Sequence, residues 1–163
     1  MKTIKVGNKE YQLEYTFEAA ENRDVVQKMF NMLSGAYIIK HTNGSDVEND
    51  ENIVNAMIDG TSEMVSEIPH VCIVAFYAGL LEHNPVSEEE AKDIMKAYMK
   101  ENKISYRKLF EEIKTCMEDD GFFDLSGLKE MLEEMNGEPN SEPKTTKKAP
   151  KTPQDHKKPT STK

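Results

Sequence analysis

The sequence predicts a mainly α-helical domain of the α+β class. A short N-terminal β-hairpin packs on a bundle of about five or six helices, and a disordered tail follows. Three observations lead to this fold. Apolar residues alternate with polar ones near the N-terminus, which is the period of a strand. From residue 25 to residue 135 they recur every three or four positions, which is the period of a helix. After Gly137 they almost disappear.

The composition divides the chain into an acidic domain over residues 1–136 and a basic tail over residues 137–163. The tail contains seven Lys, five of the seven Pro and one apolar residue, Ala149. Net charges of −13 for the domain and +4 for the tail make up the −9 of the whole chain. A segment with so little apolar surface to bury is predicted to be disordered, whereas 136 residues suffice for one ordinary core.

The hairpin is predicted from two alternating runs, residues 4–6 and 11–15. Gly7-Asn8 lies between them, where a tight turn needs residues that tolerate a positive φ. The apolar residues of both runs fall on one face. That face must pack on the helices, because an isolated hairpin is only marginally stable in water.

The first helix is predicted over the apolar positions between Val25 and Leu33, and it stops at Ser34-Gly35. The short apolar run at residues 37–39 fits either an extension of this helix or a brief strand. Residues 41–52 are polar and include Asn43-Gly44, so they are predicted to form a loop.

Two separate helices are predicted between residues 53 and 82. The first carries apolar residues from Ile53 to Ile68 and is weakened in its middle by Gly60 and Thr61. Pro69 suits the first turn of the second helix, residues 70–82, where its missing N–H costs nothing. This second helix is apolar on nearly every side, which predicts a place in the centre of the domain. A strand over residues 71–77 is the alternative.

Three more helices complete the prediction. Ser87, followed three residues later by Glu90, has the pattern of a capping box and starts one helix. Ser105 is predicted to cap the next, which ends near Gly121. The last covers residues 126–135 and stops at Gly137.

No group of residues predicts catalysis, a cofactor or a metal site. Cys72 and Cys116 lie in apolar helical stretches, which is typical of buried free thiols. The segment from Asp119 to Glu130 has the length of a calcium loop, but Gly121 and Phe123 occupy positions that should carry oxygen ligands. The sequence is therefore interpreted as a non-enzymatic protein. The acidic domain also argues against nucleic acid as its main partner.

Protein binding remains, and methionines of the later helices are its candidate residues. Methionine is flexible and polarisable, so exposed methionines adapt to a partner, although each one also fits a core position. If exposed, they would form an apolar groove with an acidic rim. The candidate partner-binding residues are Met95, Met99, Met117, Met131 and Met135.

The N-terminal segment Lys2–Phe17, KTIKVGNKEYQLEYTF, resembles the start of tail assembly chaperones from long-tailed phages and prophages of Gram-positive bacteria. Those proteins are similar in opening with a short hairpin of this form, followed by an acidic helical domain of comparable size. The resemblance extends in organisation over residues 1–136, including the central apolar helix, and to the Lys-rich tail.

The resemblance implies a non-enzymatic chaperone that binds the tape measure protein and helps to recruit tail tube subunits around it. It also implies that a programmed frameshift can append a longer C-terminal extension. A regulatory or adaptor protein, whose basic tail contacts nucleic acid or an acidic protein, is the alternative function. The sequence leaves open whether the chain forms a homo-oligomer.

The expected location is the cytoplasm of the bacterial host, and not the mature virion. The first residues lack the apolar stretch of a signal peptide. The longest apolar run, residues 71–81, is shorter than the roughly 20 residues that span a bilayer. No membrane contact is therefore expected.

Overall fold

A computed structural model of the chain describes residues 1–42 and 50–136. In these residues it contains one two-stranded sheet and eight helices, which confirms the predicted fold class. The elements are β1 Lys2–Val6, β2 Lys9–Leu13, α1 Phe17–Glu21, α2 Arg23–Leu33, α3 Ala36–Thr42, α4 Asp50–Leu80, α5 Glu88–Asn102, α6 Tyr106–Asp119, α7 Phe122–Leu125 and α8 Leu128–Asn136.

The N-terminal hairpin forms as predicted. β1 and β2 pair antiparallel with Ile4 opposite Tyr11, and Gly7 takes a φ of +59° in the turn. Backbone N–H groups of the hairpin and of the residue after it donate hydrogen bonds to the end of α4 and to the loop that follows α4. The Gln12 N–H donates to Asn84 Oδ1 at 2.8 Å, and the Glu14 N–H donates to the carbonyl oxygen of Gly79 at 2.9 Å.

The first long helix also agrees with the prediction. Asn22 caps α2, since its side-chain oxygen accepts from the N–H groups of Asp24 and Val25. After α2, Gly35 reverses the chain with a φ of +69°. The apolar run at residues 37–39 lies in α3, so it is helical and not a strand. Residues 41–42 and 50–52 of the predicted loop are helical as well, and residues 43–49 lie outside the described residues.

The prediction of two helices separated at Pro69 is wrong, because α4 runs without a break through 31 residues. Pro69 removes the hydrogen bond that residue 69 would donate to the Val65 carbonyl, and an interior proline costs about 3 kcal/mol. Apolar packing on both sides of the proline offsets this cost. Met64 and Ile68 before it, and Val71 and Cys72 after it, all join the same core.

The predicted caps of the next two helices are confirmed. Ser87 Oγ accepts from the Glu90 N–H at 3.2 Å at the start of α5, and Ser105 Oγ accepts from the Lys108 N–H at 3.3 Å at the start of α6. The last helix, α8, starts at Leu128, two residues later than predicted. The predicted stop at Gly137 and the predicted disordered tail lie outside the described residues.

The centre of the domain is the C-terminal half of α4, as the sequence predicts, and its helical form excludes the strand alternative. α4 packs against β2, α1, α2, α3, α5 and α6. Six of its residues between 71 and 80 have side chains with no exposed surface: Val71, Cys72, Ala75, Phe76, Ala78 and Leu80. The N-terminal half of the same helix lies at the edge of the domain.

Candidate partner-binding surface

The five methionines predicted to bind a partner do not form one surface. Met95 on α5 and Met117 on α6 are fully buried, so both belong to the core and are not available to contact a partner. Met99 is half-buried against that core. Met131 and Met135 are exposed by 50% and 51%, and they lie one turn apart on α8. The predicted acidic methionine groove is therefore reduced to this pair.

A larger apolar surface lies on the N-terminal half of α4. Successive residues of an α-helix are rotated by about 100°, so the apolar residues between positions 53 and 68 divide between two opposite sides. One side faces α3 and the other faces away from the domain. A helix with apolar residues on two sides usually has a neighbour on each.

The covered side of this half is held closely by α3. A Cβ atom at Gly60 would lie 2.7 Å from the Ile38 Cα and 2.9 Å from the Tyr37 carbonyl oxygen, so only glycine permits this approach. Glu63 on the same side accepts from Lys40 Nζ at 3.1 Å and contacts His41 Nε2 at 2.6 Å. Those two hydrogen bonds hold the pKa of Glu63 below its ordinary value of 4.5.

The opposite side carries an exposed row of apolar residues, here called the α4 stripe. Val54, Ile58, Thr61 and Val65 follow one another at spacings of four, three and four, and Met57 lies beside them. The exposed fractions are 54% for Val54, 48% for Met57, 59% for Ile58 and 55% for Val65. Single exposed apolar side chains are ordinary, but a contiguous patch of this kind is typical of an interaction site.

Two hydroxyls within and beside the stripe, those of Thr61 and Ser66, are bonded to their own helix. The Thr61 hydroxyl donates to the Met57 carbonyl oxygen at 2.8 Å, and the Ser66 hydroxyl donates to that of Glu63 at 2.7 Å. These hydroxyls already have an acceptor, so a purely apolar partner can cover the stripe without leaving them unbonded.

The acidic residues of α4 are distributed unevenly around the helix. α4 contains Asp50, Glu51, Asp59, Glu63 and Glu67, and it contains no Lys or Arg. Glu63 and Glu67 are turned to the covered side, where Lys40 and Lys28 bind them. Glu51 and Asp59 are exposed, and Glu51 stands one heptad before Ile58. The stripe is thus apolar along its length, Glu51 is the acidic residue beside it, and α4 offers no basic residue.

Sequence reasoning missed this surface because it treated the apolar residues from Ile53 to Ile68 as one helical pattern and did not divide them between two sides of the helix. Val54 and Ile58 were the signal, since they fall on the side of the helix opposite Ala56 and Gly60. Their exposure depends on which parts of α4 are covered by other elements of the domain, and the periodicity of the sequence does not predict this.

The two thiols are not activated nucleophiles. Burial raises the pKa of Cys72 to about 12, and its Sγ donates to the Tyr106 carbonyl oxygen at 3.4 Å. Burial also raises the pKa of Cys116. A nucleophilic cysteine needs its thiolate form near neutral pH, and neither thiol provides it. Within residues 1–42 and 50–136, no three His, Cys, Asp or Glu side chains converge as a metal site would require.

One described helix, residues 51–80 of α4, has the length and apolar composition of a membrane span, with a mean hydropathy of 1.2 in its most apolar window. The sequence pattern had predicted only an 11-residue apolar run here, because it divided the helix at Pro69. The core helix of a globular domain meets the same criterion, and the C-terminal half of α4 is such a helix.

Searches of protein families, curated proteins and solved structures found no match to this chain. The exposed α4 stripe and the acidic charge of the domain therefore carry the functional conclusion, together with the resemblance at the N-terminus.

Proposed function

We propose that this protein is a non-enzymatic tail assembly chaperone that binds the tape measure protein and helps to recruit tail tube subunits. The observation that carries the proposal is the α4 stripe, an exposed apolar row on a helix whose other side is fully engaged. A chaperone for a long, aggregation-prone helical protein needs such a surface, because it must cover apolar side chains that would otherwise meet each other.

The charge of the domain supports the same role. A net charge of −13 over residues 1–136 makes coated complexes repel one another. A chaperone that covers apolar surface and adds negative charge keeps its client dispersed by both effects. The buried thiols and the self-satisfied hydroxyls beside the stripe are consistent with binding as the role of this surface.

The test is co-expression with a tape measure protein, which the proposed function predicts to be encoded beside this gene. We expect the wild-type chain to raise the soluble fraction of the tape measure protein several-fold after centrifugation. The triple variant Val54→Gln/Ile58→Gln/Val65→Gln should lose most of this gain. Glutamine is a good helix former, so the variant removes the apolar surface while preserving α4.

Two controls identify the surface. Leu125→Gln replaces an exposed apolar residue on α7 and should behave as wild type. Met131→Gln/Met135→Gln removes the exposed pair on α8, and loss of solubility with this variant would move the contact from α4 to α8. An unchanged soluble fraction in the presence of the wild-type chain would contradict the proposed function.

The alternative of a regulatory or adaptor protein is supported by the opposite charge of residues 137–163, which carry a net +4. Binding through this segment would weaken steeply with salt and would be lost on its deletion. Binding through the α4 stripe would be largely retained at high salt and after deletion of residues 137–163. One truncated variant therefore distinguishes the two functions.

A further inference from the structure

The α4 stripe has the geometry of a helix-packing seam. Spacings of four, three and four from Val54 to Val65 match the alternation by which one helix contacts another in a coiled coil. With a rise of about 1.5 Å per residue, the stripe extends over roughly 17 Å, or three turns. An amphipathic helix with apolar residues at the same spacing is the partner that such a row accommodates.

The rest of this chain does not supply that helix. The segment between α3 and α4, residues 43–49, has Val47 as its one apolar residue, and residues 137–163 have only Ala149. Neither segment has apolar side chains at three-to-four spacing. The occupant of the stripe therefore comes from another molecule.

The charges of α4 and of the domain distinguish three possible occupants of the stripe: a helix of another protein, a second copy of this chain and a membrane surface. Glu51 beside the stripe and the net charge of −13 of residues 1–136 would attract a partner helix whose flanking positions carry Lys or Arg, and α4 has no Lys or Arg to oppose this attraction. A second copy brings another domain of net charge −13 and places like charges against each other. Helices that lie on membranes usually carry Lys and Arg beside their apolar face, which α4 does not.

We infer that the α4 stripe binds an amphipathic helix of another protein, with apolar residues at alternating spacings of three and four and with basic residues at its flanks. This inference rests on the proposed function and names the chemistry of its client. The apolar contact provides affinity through burial of Val54, Ile58 and Val65, and the negative charge of the domain favours a basic partner.

The experiment uses the full chain and a synthetic, fluorescently labelled peptide of about 18 residues, long enough to cover the three turns of the stripe. The peptide carries Leu at spacings of four, three and four, Lys at the flanking positions and Ala elsewhere. A second peptide is identical except that Glu replaces Lys. Binding is followed by fluorescence anisotropy at two salt concentrations.

We expect the Lys peptide to bind at least about tenfold more tightly than the Glu peptide, and added salt to reduce the difference. Ile58→Gln/Val65→Gln should weaken binding of the Lys peptide by about tenfold or more, since two half-exposed apolar contacts are lost. That variant keeps every charged residue. A loss of binding would therefore show that the apolar stripe contributes to affinity, in addition to electrostatic attraction to an acidic protein. Leu125→Gln should bind as wild type, and circular dichroism verifies that both variants fold.

Three results would overturn the inference. The first is equal binding of the two peptides, or binding that Ile58→Gln/Val65→Gln leaves unchanged. The second is a dimer in sedimentation that this variant abolishes, because the stripe would then be occupied by a second copy. The third is stripe-dependent binding to phosphatidylglycerol vesicles without binding of the Lys peptide. In each case a retained gain in tape measure solubility would leave the proposed function standing, whereas peptide binding without that gain would contradict the function alone.

Discussion

Tyr15 is the residue at which the hairpin joins the helical core. Its N–H donates to Asp120 Oδ2 at 3.0 Å, and its ring meets the Phe122 ring edge-on at a centroid distance of 6.4 Å. A Cβ atom at Gly79 would lie 2.7 Å from the Tyr15 ring, so α4 can approach the hairpin only with glycine at this position. The cost of this packing is that the Tyr15 hydroxyl is buried without a hydrogen-bond partner among the described residues.

We predict that Tyr15→Phe leaves the free energy of unfolding unchanged or raises it by up to about 1 kcal/mol, because it removes a buried hydroxyl that has no acceptor. Urea unfolding measures the change. The matched control is Tyr98→Phe, since the Tyr98 hydroxyl donates to Glu112 Oε2 at 3.0 Å. The control should destabilise the protein by about 1–2 kcal/mol. A loss of that size in Tyr15→Phe would show that its hydroxyl has a partner.

Glu112 joins three elements through its carboxylate. It accepts from Lys2 Nζ on β1 at 2.7 Å and from the Tyr98 hydroxyl on α5, while it lies on α6 itself. Burial acts to raise the pKa of Glu112, but the hydrogen bonds from Lys2 and Tyr98 outweigh it and leave the pKa below its ordinary value of 4.5. Burial acts to lower the pKa of Lys2, but the interactions with Glu112 and Tyr98 together outweigh it and leave the pKa above its ordinary value of 10.5.

These shifts predict the pH range in which Glu112 stabilises the fold. A carboxylate with a lowered pKa contributes above its unfolded pKa and loses the contribution as the pH falls through the folded value. A lysine with a raised pKa contributes below its unfolded value, 10.5, and loses the contribution above it. We expect Glu112→Gln to cost about 1 kcal/mol between roughly pH 5 and pH 10, given the partial exposure of the pair.

Urea unfolding of wild type and Glu112→Gln at several pH values measures this window. Lys96→Gln is a suitable control, because the exposed Lys96 pairs with the exposed Asp93 at 3.6 Å, away from Glu112. Its effect should be within about 0.5 kcal/mol. A difference between wild type and Glu112→Gln that persists undiminished at pH 3 would contradict the assignment.

At the scale of elements, the α3–α4 pair determines which side of α4 is free. α3 covers the side with Ala56 and Gly60, and its Lys40 and His41 bind Glu63. The α4 stripe is exposed because no described element packs on the opposite side. The close contact of the two backbones at Gly60 is therefore the local feature that presents the stripe.

We predict that Gly60→Ala destabilises the protein by about 1–2 kcal/mol. Alanine favours a helix by roughly 1 kcal/mol over glycine, but its Cβ would meet backbone atoms of α3, which cannot move aside by changing rotamer. Thermal unfolding measures the result. Ser62→Ala, on an exposed position of the same helix, should instead stabilise slightly by helix propensity. Stabilisation by Gly60→Ala would mean that α3 lies farther from α4.

At the scale of the whole molecule, charge and apolar surface are divided between two parts of the chain. Residues 1–136 bury a core and carry a net −13, whereas residues 137–163 carry a net +4 and one apolar residue. All residues of the described core belong to residues 1–136. Residues 137–163 have almost no apolar surface, so a role of this segment would depend on its positive charge.

Deletion of residues 137–163 is therefore expected to change the free energy of unfolding by less than about 0.5 kcal/mol, because the segment has almost no apolar surface to bury. Urea unfolding of the full and truncated chains measures this. Binding of the Lys-flanked peptide should persist in the truncated chain, since the α4 stripe is intact. A large loss of stability would show that the tail contributes to the folded domain.

The fold class, the hairpin with its turn, the caps at Ser87 and Ser105 and the central place of residues 71–80 could all be predicted from the sequence. All of these depend on local chemistry or on a period of two or three to four residues. The continuation of α4 through Pro69 could not be predicted in this way, because the cost of the proline is offset by packing that involves distant segments. Nor could the burial of Met95 and Met117, or the exposure of Val54, Ile58 and Val65. Periodicity shows which residues share a face of a helix, but the position of neighbouring elements decides whether that face is covered.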